Sequence, residues 1–173
     1  MNFIKTIHER LLKAVPMALA FALLAGCGEN QAHAPGPNVA HKHEHKPPHG
    51  GTPVVLGNEE YHVELVLDAP TGKLEAYVFD GELENFVRVA APSFDVTAKL
   101  PDRSEVLTFK AIPNNATGEK VGDTSLFETQ ADWLKSASTF DGVLKELTVK
   151  DKSYQNVAFN FPKGNDQDET EKK

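Results

Sequence analysis

Histidines are concentrated in one short segment of this chain. The 173 residues include seven histidines, and five of them fall within positions 33 to 49: His33, His41, His43, His45 and His49. Neutral imidazole suits Zn, Cu, Ni and Co, and with an unperturbed pKa of about 6.5 most such rings are neutral at pH 7. The clustering therefore predicts a site for a transition-metal ion.

The centre of this segment is the alternating tract His41-Lys42-His43-Glu44-His45. In an extended chain alternate residues point the same way, about 7 Å apart, which is too far for rings that must each lie near 2.0 to 2.1 Å from one zinc ion. The tract must bend to chelate, with Glu44 as an additional carboxylate ligand. Since ordering the segment costs entropy, we expect a loosely bound ion that exchanges quickly.

His62 and Glu64 form a second candidate group in a predicted strand. They share the face expected to be wet, where a lone histidine is more often a surface residue than a ligand. Together they make a two-ligand edge, to which His49 adds a third ligand if the preceding segment folds back. The opposite interpretation, in which the histidine tract is only a hydrophilic spacer, stays open.

The first residues are typical of an export signal. A charged stretch precedes the apolar run from Ala14 to Ala25, which is shorter than the roughly 20 residues of a membrane-spanning helix. The end of the run, Leu24-Ala25-Gly26-Cys27, resembles the lipobox of bacterial lipoproteins. This resemblance implies cleavage before Cys27 and lipid on that cysteine, and Gly28 at the following position favours the periplasmic face of the outer membrane over the inner membrane. An ordinary secretory signal with a chance cysteine is the alternative.

Composition divides the rest of the chain into a tether, a domain and a tail. We expect a signal peptide over 1–26, a disordered His-rich tether over 27–48, a folded domain over 49–162 and a disordered charged tail over 163–173. The tether is poor in large apolar residues and cannot offset the entropy of ordering. Removing 1–26 leaves 15 basic and 24 acidic residues, a net charge of −9 that argues against nucleic-acid binding.

The domain reads as short β-rich runs separated by turns. Nine strands are predicted at a spacing near 10 residues: 53–56, 61–67, 74–79, 86–89, 93–100, 106–112, 126–129, 143–149 and 154–161. Tyr61, Val63, Leu65 and Leu67 alternate onto one face. The pattern predicts an all-β fold, an antiparallel β-sandwich of generally immunoglobulin-like shape. One short helical turn is expected over 131–138, capped by Asp132, with Trp133 as a packing residue.

Signatures of common enzyme classes are absent from the sequence. There is no Gly-x-Ser-x-Gly elbow, no phosphate-binding Gly-rich loop and no His-Glu-x-x-His pattern. The single cysteine, Cys27, is assigned to lipid and leaves no free thiol nucleophile. We therefore expect a protein that is not an enzyme.

Residues 49–81 carry a family resemblance. The stretch from His49-Gly50-Gly51 to the Asp80-Gly81 turn resembles a segment of small periplasmic proteins and adaptor subunits of heavy-metal efflux systems. There, a histidine-rich leader ends in His-Gly-Gly and is followed by a β-hairpin with an Asp-Gly turn. The resemblance implies periplasmic handling of a transition metal by the following residues: His41, His43, His45, His49, His62 and Glu64. The chain has no pattern for an adaptor's long helical hairpin, so the resemblance implies an accessory protein.

These observations lead to one functional prediction and one alternative. The first is a lipid-anchored periplasmic protein that binds Zn, Cu, Ni or Co, buffering the ion or delivering it to a metal efflux complex. The alternative is an envelope interaction or scaffold lipoprotein, whose β-sandwich binds a protein or glycan and whose histidine tract is a spacer.

Overall fold

The computed structural model describes residues 46–137 and 139–166, which form eight β-strands and one short 3-10 helix. The strands are β1 Thr52–Leu56, β2 Tyr61–Asp68, β3 Lys73–Asp80, β4 Ser93–Lys99, β5 Ser104–Ala111, β6 Leu126–Gln130, β7 Phe140–Val149 and β8 Lys152–Phe161. The 3-10 helix, Asp132–Lys135, lies between β6 and β7. The predicted all-β antiparallel fold class is confirmed. The predicted signal peptide, Cys27 and the tract up to His45 lie outside the described residues.

All eight strands belong to one antiparallel sheet, in the order β1-β2-β3-β6-β5-β4-β7-β8. The sheet curves until it is nearly barrel-shaped. The segment after β8 lies against β1, where the side-chain amide of Asn165 accepts a hydrogen bond from the Val55 N–H at 2.7 Å and donates one to the Val55 carbonyl at 3.2 Å. Residues 163–166, which the sequence assigns to a frayed tail, are therefore held against β1, because the Asn165 side chain makes the two backbone hydrogen bonds that a neighbouring strand would make. We call this contact between the segment after β8 and β1 the seam.

The inner face of the curved sheet encloses one apolar core to which every strand contributes. The predicted core face of β2 is confirmed: Val63 and Leu65 are buried, and Tyr61 and Leu67 pack against them. The ring of Trp133 meets that of Phe140 edge-on, with centroids 5.5 Å apart. Trp133 is therefore a packing residue, as predicted.

Two local predictions are wrong. Residues 86–89 form only isolated bridges: the loop after β3 turns through Leu83, whose φ is +56°, and returns beside β3, where the Val87 N–H donates to the Val78 carbonyl at 2.8 Å. The 3-10 helix is capped by Ala131 without a side-chain hydrogen bond. Asp132 instead accepts a hydrogen bond from Lys135 at 2.7 Å.

Two segments cover the outer face of β2 and β3, opposite the core. One is residues 47–51, which lead into β1, and the other is the part of the loop 81–89 that carries Phe86; Val87 and Val89 of the same loop belong to the core instead. Phe86 of this loop stacks on Phe79 of β3, with ring centroids 4.6 Å apart. This part of the sheet is therefore buried on both faces, and the histidines of the described chain lie there.

Candidate functional site

The two glycines that follow His49 explain how this histidine reaches the sheet. The N–H of Gly50 donates to the carbonyl of Pro47 at 3.0 Å, which closes a tight turn, and the φ of Gly50 is +69°. A Cβ at Gly51 would lie 2.5 Å from the carbonyl oxygen of Leu65, so no larger residue fits there without movement. The His-Gly-Gly sequence thus folds the chain back over the outer face of β2.

Glu64 of β2 binds the segment 47–51 through its carboxylate. Its side chain is fully buried on the outer face of β2. Oε1 accepts hydrogen bonds from the backbone N–H groups of His49 and Gly51, each at 2.8 Å, and Oε2 lies 2.8 Å from Nδ1 of the His49 ring. We call His49, Gly51 and Glu64 the clasp. It satisfies a buried carboxylate, which would otherwise be costly, and it holds the root of the His-rich segment to the domain.

Aromatic side chains fix the His49 ring from the other sides. The ring stacks on Tyr77, with centroids 4.1 Å apart and an interplanar angle of 18°. The rings of Phe79 and Phe86 are each 6.1 Å away and tilted. About a third of the His49 side chain, 34%, stays exposed. The imidazole is therefore held in one orientation while its side chain stays partly exposed.

Tyr77 links the clasp to a strip of charged residues on β3 and β6. Its hydroxyl donates to Glu75 at 2.9 Å, and Lys73 Nζ lies 2.6 Å from Glu75 and 3.4 Å from Glu128. Burial, with the hydrogen bond to the Glu75 carboxylate, raises the pKa of Tyr77 to about 12. The phenol thus stays protonated under His49 at any physiological pH.

His62 is not a surface residue, and the expectation of a wet face is wrong. It is 1% exposed, and its Nδ1 lies 3.3 Å from the Asp80 carbonyl. The pattern of β2 resembled a half-exposed strand because His62 and Glu64 on its outer face are polar, but both side chains are buried.

Asp80 anchors the covering loop. Burial alone would raise its pKa, but hydrogen bonds from the Asn85 side chain and from the backbone N–H groups of Glu84 and Asn85 lower it. The neighbouring loop carboxylates, Glu82 and Glu84, are exposed. Asp80 has the specific role of closing the turn that brings Phe86 onto Phe79.

The structure therefore brings together part of the predicted ligand set. His49 does fold back onto Glu64, but both carboxylate oxygens are already bonded, so Glu64 acts as a partner of the ring. Over the described residues, no three His, Cys, Asp or Glu side chains form a group that could hold a metal ion. The remaining candidates, His41, His43, His45 and Glu44, lie outside that part of the chain.

The aromatic wall around His49 was missed from the sequence. A signal for it is the continuous apolar run from Ala76 to Phe79, which is typical of a strand buried on both faces. Alternation alone assigns Tyr77 and Phe79 to the outside, but the run has no polar residue between them.

Comparison with known proteins found no match: no protein-family model, no curated protein and no solved structure is similar to this chain. Within residues 46–137 and 139–166 there is also no helical segment with the length and apolar character needed to cross a membrane.

Proposed function

We propose that this protein is a lipid-anchored periplasmic protein that binds a transition-metal ion through a His-rich arm rooted at His49. The arm is residues 28–45, and its proposed ligands are His41, His43 and His45, with Glu44 as an additional carboxylate. The single observation that supports the proposal most strongly is the His49 ring itself. It is fixed by stacking and hydrogen bonding, and about a third of its side chain, 34%, is exposed.

A fixed imidazole makes chelation by the arm less costly. Binding by a flexible segment loses conformational entropy, and each ligand already in place reduces that loss. His45 is four residues from His49, and four residues of fully extended chain span at most about 14 Å. A bend in the intervening chain brings His45 closer to the His49 ring. One rigid ligand and several from the arm would give moderate affinity with rapid exchange, which suits buffering or delivery to an efflux complex.

The donor set favours Zn, Cu, Ni or Co over Mg or Ca. Imidazole suits the later first-row metals, whereas Mg and Ca prefer shells of oxygen ligands. The net charge of the whole chain, −7, also attracts cations.

The test is a metal titration of the full chain purified in detergent, with Zn²⁺, Cu²⁺, Ni²⁺ and Co²⁺ as probes. We expect binding at pH 7.5 that is largely lost at pH 5.5, because protonated imidazole cannot bind a metal. Replacing His41, His43 and His45 together by Ala should weaken binding, and so should His49→Ala. His33→Ala is the matched control and should leave the affinity unchanged.

Absence of any binding tighter than about 100 µM, or about 5.5 kcal/mol, would refute the proposal. The scaffold alternative predicts a different pattern. Deleting residues 33–45, which keeps His49 and the clasp, would then leave capture of the envelope partner unchanged and would not alter the metal tolerance of the cell. Under our proposal the same deletion lowers metal tolerance.

A further inference from the structure

We propose that Glu64 is a positioning residue that keeps the ring proton of His49 on Nδ1 and so makes Nε2 the metal-binding atom. This inference rests on the proposed function, because it specifies how the fixed histidine takes part in the site. It assigns a role to a buried acidic residue that the sequence suggested only as a direct ligand.

The hydrogen bonds of the clasp determine where the proton lies. The oxygens of a carboxylate only accept hydrogen bonds, so in the arrangement that we infer the 2.8 Å contact between Glu64 Oε2 and His49 Nδ1 has its hydrogen on Nδ1. Oε1 is occupied by the backbone N–H groups of His49 and Gly51. In a neutral imidazole with Nδ1 protonated, Nε2 carries the free lone pair, which is the form that can bind a metal.

The surroundings of His49 prevent its imidazole ring from flipping over about the Cβ–Cγ bond. Turning the imidazole over would replace Nδ1 by a carbon beside the fully buried Glu64 carboxylate, which would lose a charge-assisted hydrogen bond. The stack on Tyr77 at 4.1 Å also restricts the ring plane. The ring therefore presents one nitrogen to Glu64 and the other away from it.

Metal chemistry gives this arrangement a function. Histidines that bind metals usually donate their second ring N–H to a carboxylate, a carbonyl or water, which fixes the tautomer and raises the basicity of the ligating nitrogen. A carboxylate in the low dielectric of a buried site exerts a stronger effect than one in water. Burial of Glu64 also keeps it from binding the metal directly, so its contribution passes through His49.

Glu64→Gln separates this role from simple support of the fold. The amide oxygen of Gln can still accept from the two backbone N–H groups, while its NH₂ would donate to Nδ1 of His49. The ring proton would then move to Nε2 and block the metal-binding atom, with the clasp kept nearly isosteric. Losing such an outer partner costs about 10- to 100-fold in metal affinity, and we expect a loss in this range.

The experiment reads the tautomer and the metal site separately. The full chain with ¹⁵N-labelled histidine, in detergent at pH 8, is studied by long-range ¹H–¹⁵N NMR, first without metal and then with Zn²⁺. The metal-free wild type should show His49 protonated on Nδ1, and Zn²⁺ should shift Nε2. The Glu64→Gln chain should show the proton on Nε2 and a weaker response to Zn²⁺.

Glu75→Gln is the matched control, since Glu75 lies on the neighbouring strand and contacts Tyr77 but not His49. It should keep the wild-type tautomer and affinity. If the metal-free wild type carries its proton on Nε2, the inference is overturned even if metal binds, and this spectrum decides the matter should the Gln variant fail to fold. If the proton is on Nδ1 but no Zn²⁺ binds, the proposed function is refuted, and the proposed role of Glu64 in metal binding is refuted as well.

Discussion

Gly51→Ala should destabilise the domain because its Cβ would collide with the outer face of β2. The added atom would lie 2.5 Å from the Leu65 carbonyl oxygen, 2.8 Å from Cγ2 of Val66 and 2.9 Å from Cγ of Glu64. The nearest of these is backbone and cannot rotate away. Residues 49–51 must therefore move outward, which stretches the hydrogen bonds to the buried Glu64 carboxylate.

The magnitude combines two costs. Overpacking of this kind costs about 1–3 kcal/mol, and leaving a buried acceptor with fewer partners costs about 1–3 kcal/mol. We expect the free energy of unfolding to fall by about 2–6 kcal/mol, the sum of the two costs, measured by urea unfolding followed by circular dichroism. The midpoint temperature should fall by roughly 10 °C.

Gly118→Ala is the control for the general effect of losing a glycine. Gly118 has a φ of +71°, and a Cβ added there would meet nothing within 4 Å, so only backbone strain of about 1–2 kcal/mol is expected. If Gly51→Ala were as stable as the wild type, or lost less than Gly118→Ala, the close packing of the clasp on β2 would be refuted.

Three further predictions concern the seam and the covering layer. Asn165→Ala removes two hydrogen bonds to Val55 and should cost about 1–3 kcal/mol, with faster hydrogen exchange at the Val55 amide; unchanged exchange would contradict the seam. The raised pKa of Tyr77 stabilises the fold fully below pH 10, and this contribution is lost as the pH rises towards 12, so thermal unfolding from pH 9 to 12 should show a smaller decline in Tyr77→Phe than in the wild type. The lowered pKa of Asp80 acts in the opposite direction, since its contribution is present above about pH 4 and is lost as the pH falls through the folded pKa. Asp80→Asn should therefore flatten the acid unfolding curve, and an unaltered curve would argue against the bonds to Asn85.

Most of the strands could be predicted from local patterns, with instructive exceptions. In β8 the alternating residues Phe159 and Phe161 are buried, but Tyr154, of the opposite parity, is buried too. The phase changes at Asn156, whose φ is +53° and where the ladder with β7 is interrupted between two paired positions. A simple period of two cannot anticipate such a change, because it depends on how both strands twist around the core.

The candidate site was also predictable only in part from the sequence. The type and crowding of the histidines and the alternation of β2 are local properties, so the sequence alone predicted a histidine-rich arm and a strand, whereas it gave the fold-back of His49 only as a condition. The burial of His62 and Glu64 required knowledge of two covering segments. One of them, the loop 81–89, is about 20 residues further along the chain, and its path depends on Asp80 and Leu83.

Sequence by itself therefore determined the all-β class and the nature of the candidate ligands, because side-chain chemistry and short-range periodicity depend only on each residue and its near neighbours in the chain. Tertiary structure alone decided that Glu64 faces the His49 ring and that Tyr77 and Phe86 enclose it. Those contacts join segments distant along the chain, and their geometry follows from the packing of the whole domain.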